Sequence, residues 1–69
     1  MYRKGSNVSW KWGQGSGSGH VKETFTRRVQ RTIGGSKIVK NGSEECPAYL
    51  IEQDDGSQVL KLHSEIERN

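Results

Sequence analysis

The chain has 69 residues, a formal net charge of +3 and 29% apolar residues. That length supports one domain, with a core worth on the order of 3–5 kcal/mol, and leaves no room for a cofactor cleft between domains. Leu, Ile, Val and Phe total only 13. Low hydrophobicity is not joined here by high net charge, so the composition reads as a small folded domain with long polar loops rather than a disordered chain.

Cys46 is the only cysteine, so no internal disulfide is available. No apolar segment follows the first residues, and no run is long enough to span a bilayer. The expected location is therefore cytoplasmic, with no membrane partner. Charge is uneven along the chain. Residues 1–41 carry nine Lys/Arg against Glu23 alone, and residues 42–69 carry two against seven acids. Either the two halves attract each other, or a basic face meets an anionic partner.

Val8, Trp10 and Trp12 alternate with polar residues, the pattern of a half-buried strand. Gly13 to Gly19 has the composition of a flexible connection and is expected to be a surface loop. Val21, Glu23 and Phe25 form a second alternating set. Arg27 to Ile33 and Ser36 to Lys40 flank Gly34-Gly35, a tight-turn pair, so residues 26–40 are expected to form a basic hairpin or arm. Ala48 to Gln53 is apolar on both faces, as in a central strand. Asp54-Asp55-Gly56-Ser57 is a hairpin turn leading into Gln58 to Leu62. Ser64 to Glu67 reads as a 3₁₀ turn capped by Ser64.

No segment holds helical periodicity over ten residues. The expectation is an all-β domain spanning residues 1–69, a small SH3-like barrel of about five antiparallel strands with a short 3₁₀ turn near the C-terminus. Its expected core is Val8, Trp10, Val21, Phe25, Tyr49, Leu50, Ile51, Val59, Leu60, Leu62 and Ile66.

Val8-Ser9-Trp10-Lys11-Trp12-Gly13, Gly19-x-Val21, Asn41-Gly42-Ser43-Glu44-Glu45, Pro47-Ala48-Tyr49-Leu50-Ile51-Glu52, Asp55-Gly56 and Val59-Leu60-Lys61-x-x-Ser64-Glu65 occur in this order. This set resembles the hypervirulence-associated protein Tudor-like domain family over about Lys4 to Ile66. The resemblance implies a Tudor-like barrel and no established molecular activity. Cys46 departs from the Asp or Asn expected before Pro-Ala-Tyr.

The chemistry-bearing residues point to binding rather than catalysis. The Gly-rich segment has no phosphate-loop spacing, since Ser18 and His20 stand where glycine would be needed. His20, Cys46 and His63 lack paired metal-ligand spacing, so no metal or cofactor is expected. Asp54 and Asp55 belong to a turn, and no nucleophile has an adjacent base, so no enzyme is expected. Trp12, at a strand end, is the aromatic ring expected to be partly exposed. Lys22, Arg27, Arg28, Arg31, Lys37 and Lys40 could track a phosphate backbone, or simply solvate an edge and discourage strand aggregation. The expected function is an uncharacterised binding module with an unknown protein partner. The alternative is non-specific nucleic-acid binding through residues 22–40. Self-assembly through the hairpin is a third route.

Overall fold

A computed structural model describes all residues from Met1 to Asn69. The chain is all-β, with strands β1 (Asn7–Trp12), β2 (Gly15–Phe25), β3 (Arg28–Ile33), β4 (Ser36–Asn41), β5 (Ala48–Glu52), β6 (Gln58–Leu62) and β7 (Glu67–Arg68). A single 3₁₀ turn, His63–Glu65, precedes β7. Five strands form one antiparallel sheet in the order β6-β5-β2-β1-β7, and β3-β4 form a separate hairpin. The all-β expectation holds, but the sheets do not close into the expected SH3-like barrel of about five strands. There are seven strands, and no ladder joins the hairpin to the larger sheet. No helix is long and apolar enough to cross a membrane.

The Gly-rich loop is corrected as well. Gly15 to Gly19 is the first half of β2, and only Gly13-Gln14 turns the chain. Gly13 has φ +50° and Gln14 does not lie in the left-handed region, as in a II′ hairpin. Across the ladder, Gly19 faces Val8, Gly17 faces Trp10 and Gly15 faces Trp12. Gly15 and Gly17 leave the space that the two indoles need, whereas Gly19 lies against the Glu52 carbonyl. An added Cβ at Gly17 would stand 2.7 Å from the Trp10 ring.

The alternation of Val21, Glu23 and Phe25 is broken by a bulge. Val21 pairs with Ile51 but Glu23 pairs with Leu50, so Lys22 is an extra residue in β2. One extra residue reverses every later side chain. Val21 consequently joins Val8, Trp10, Tyr49, Ile51 and Ile66 on one face of the sheet. Phe25 joins Val29, Ala48, Leu50 and Leu60 on the other. The β3-β4 hairpin covers this second face, with Ile33, Ile38 and Leu62 packed at its border.

Nine of the eleven expected core residues are buried. Val59 and Leu62, on edge strand β6, are only half-buried. Val29 and Ala48 are buried in addition, because the hairpin folds back onto the sheet. Gly34 and Gly35, at φ +56° and +82°, make the expected tight turn between Ile33 and Ser36. Gly42 sits where the hairpin base crosses the sheet. A Cβ there would meet Ala48 N at 2.9 Å and Arg27 O at 2.9 Å.

The 3₁₀ turn is not capped by Ser64. Glu65 Oε1 accepts the Leu62 N–H at 2.8 Å, and Ser64 Oγ instead takes the Cys46 Sγ–H at 3.6 Å. Glu67 lies beyond the turn, pairing with Ser9 of β1. A two-residue strand carries no periodicity, so the sequence hides it.

Candidate binding surface

Trp10 and Trp12 lie on the same face of β1, but their environments differ. Trp10 is 4% exposed beneath Ile66 and its neighbours, whereas Trp12 is 61% exposed at the strand end. Tight pairing to Gly15 places Trp12 on an ordered hairpin rather than a loose loop. No other ring stacks on it. The rings that do meet are Tyr2, Tyr49 and His63, with centroids 5.0–5.8 Å apart. Tyr49 is fully buried there, and its Oη accepts the Tyr2 N–H at 3.1 Å while contacting His63 Nδ1 at 3.0 Å. Desolvation raises the Tyr49 phenol above its ordinary value, so the group is neutral and structural at neutral pH. Tyr49 is core with Tyr2 packed against it, and the three rings do not converge around one point with Trp12.

The six cations occupy several environments. Lys22, on the bulge, lies 3.9 Å from Glu52, which also meets His20 at 3.5 Å. Arg31 faces inward from β3, 3.9 Å from Glu23 and 5.0 Å above the Phe25 ring. Arg27 lies over the same ring at 5.7 Å. Lys40 faces inward from β4 and binds Glu65 Oε1 at 3.0 Å. The ladder register sends Arg28 and Lys37 to the outer face of the hairpin, where they make no ion pair. Arg28 is at the hairpin base and Lys37 beside its tip. Trp12 neighbours the first residue of β2, and Arg27 lies two residues past its last, so the ring and the basic arm sit at opposite ends of that strand.

Glu65 deserves its central place in this network because it serves two elements. Burial works to raise its carboxyl, but the Leu62 N–H and the Lys40 ammonium outweigh that and hold it below the ordinary value. The pair ties the hairpin to the end of β6. Along with Lys22–Glu52, it links the basic first half of the chain to the acidic second half.

Two surface grooves flank the sheet. One, of about 360 Å³, runs between β4 and β6 and includes Ile33, Ile38, Lys40, Val59, Leu60 and Lys61. The other, of about 320 Å³, lies between β1 and the 3₁₀ turn, with Trp10, Lys11 and Glu65 in its wall. No local pattern marks the first groove, since it needs the hairpin folded over β6. No group of three or more His, Cys, Asp or Glu is placed to hold a metal. Cys46 is a free thiol in a small loop, where its N–H bonds Ser43 Oγ at 3.0 Å.

An antiparallel sheet with a packed hairpin, and an exposed aromatic beside a tight turn, define a small all-β domain. Residues 5–66 match the family described as hypervirulence associated proteins TUDOR domain. The match covers most of the chain, which therefore belongs to this family. No curated protein and no solved structure matches it significantly.

Proposed function

We propose that the chain is a non-enzymatic binding module that engages a protein partner through the surface around Trp12. The observation that carries this reading is the 61% exposure of Trp12 on an ordered hairpin. A large rigid ring held in water favours a partner that covers it, and tryptophan is enriched among residues that dominate binding energy. Membership of a Tudor-type family supports a binding role. The SH3-like barrel is the closed form of this architecture, and the hairpin packed over β6 supports reading the present fold as an opened version of it.

Nucleic-acid binding through residues 22–40 is the second reading, favoured by Arg28 and Lys37, which make no ion pair, and by an isoelectric point of about 9.3. Lys22, Arg31 and Lys40 already have carboxylate neighbours, which weakens their call on phosphate. The readings separate by salt. Affinity capture with the wild type, Trp12→Ala and Arg27/Arg28/Arg31→Ala is run at about 50 and 200 mM salt, a range across which phosphate contacts fade. Retention at the higher salt with loss in Trp12→Ala supports the protein partner. Loss at the higher salt and in the triple variant supports nucleic acid. A mass measurement in solution tests self-assembly.

A further inference from the structure

Strand β6 ends the five-stranded sheet, and its outer edge has no strand partner. The ladder shows which backbone groups this leaves unpaired. His63 N–H donates to Pro47 C=O at 2.7 Å, and Gln53 N–H donates to Ser57 C=O at 2.8 Å. In an antiparallel ladder bonded and non-bonded pairs alternate, so Val59 and Lys61 bond β5. Gln58, Leu60 and Leu62 direct their N–H and C=O groups away from it. Glu65 takes the Leu62 N–H, but Gln58 and Leu60 have no strand partner on that side. Backbone groups left this way are a template for a further strand.

The groove beside this edge is chemically selective. Its apolar members are Ile33 and Ile38 from the hairpin and Val59 and Leu60 from β6. Its ionisable members are Lys40 and Lys61, and no acid is among its lining residues. Lys61 makes no ion pair, though it lies 6.0 Å from the Trp10 ring. Lys40 and Glu65 join the hairpin to the end of β6, so the groove is closed at that end. We propose that this groove takes an extended acidic peptide segment, which adds as a strand beside β6. Gln58 and Leu60 bond its backbone. Period two then puts aliphatic side chains toward Ile33 and Ile38 and acidic ones toward Lys61. The site is distinct from the Trp12 surface and stands independently of it.

The test is an amide NMR titration of the intact chain with a blocked peptide of about seven alternating Glu and Val residues, near a usual strand length. The expected result is a shift of the Gln58 and Leu60 amides, slowed exchange at Leu60, and contacts from its backbone to the peptide. Lys61→Glu weakens binding about fivefold or more through loss and reversal of one charge pair. Gln58→Pro removes an outward N–H without breaking the β5 ladder, and abolishes binding while the rest of the spectrum holds. Trp12→Ala leaves peptide binding unchanged. Absence of shifts up to about 2 mM peptide, the weak limit for a specific contact, overturns the proposal. Equal affinity for a Lys/Val peptide also overturns it, as do shifts centred on Trp12. So does a dimeric mass with Leu60 already protected before peptide is added, since a second copy would then cover the edge.

Discussion

The Trp10 indole lies across the β1–β2 ladder from Gly17, at a position where any Cβ would stand 2.7 Å from the ring. Trp12 and Gly15 repeat the relationship one step toward the turn, with 2.8 Å to the indole. The two pairs differ in the freedom of the ring, since Trp10 is buried and Trp12 is exposed. Gly17→Ala is expected to cost about 1–3 kcal/mol by overpacking. Gly15→Ala costs less than about 0.5 kcal/mol, because the Trp12 ring can move into solvent. Urea unfolding midpoints of the two variants check the difference.

The bulge at Lys22 makes a prediction about chain length rather than side chain. Deleting Lys22 removes the extra residue and restores strict alternation, with Val21 still opposite Ile51 and Phe25 still opposite Ala48 in its cluster with Val29 and Leu50. The deletion variant is expected to stay folded, with its amide dispersion retained and the Phe25 cluster intact. Lys22→Ala, which keeps the register, remains folded, because its ion pair with Glu52 is exposed and worth about 0–1 kcal/mol.

Tyr49 Oη connects the N-terminal segment to the 3₁₀ turn by contacting both Tyr2 N and His63 Nδ1. Tyr49→Phe keeps the buried ring and leaves two polar groups without that partner. The expected cost is about 1–3 kcal/mol in a denaturant melt. Faster amide exchange at Tyr2 would accompany it.

Glu65 predicts a pH dependence. Its folded value lies below the ordinary 4.5. A depressed carboxylate contributes stability that is present above its unfolded value and is lost as the pH falls through the folded one. Wild-type stability is therefore expected to decline from about pH 5 downward as this group takes up a proton. Glu65→Gln should show a shallower decline over that window and a lower stability at pH 7. Parallel midpoints at pH 7, 5 and 3 would measure both; an unchanged slope would mean that Glu65 contributes little to acid sensitivity.

Trp12→Ala should leave folding stability within about 0.5 kcal/mol of the wild type, since the ring is largely in water. That result would make any loss of binding in the variant attributable to the surface itself. A calorimetric melt of the two proteins provides the comparison.

Local pattern carried much of this fold. Alternation located β1, an apolar run located β5, the Asp54 to Ser57 turn placed β6 and Gly34-Gly35 located the β3-β4 turn, because such patterns and left-handed glycines are properties of a few neighbouring residues. Trp12 was legible as the exposed ring for the same reason, standing next to a turn. What the sequence alone could not supply depends on partners distant in the chain. Gly15 to Gly19 has the composition of a linker, yet pairing with Val8, Trp10 and Trp12 makes it strand. Phe25 changes face only because β5 pairs around a bulge, and Val29 is buried only because the hairpin folds back. The scattering of the basic residues and the groove along β6 arise the same way. Tertiary structure decided them because side-chain direction beyond a bulge, and the neighbour of a strand edge, are set by which strands meet.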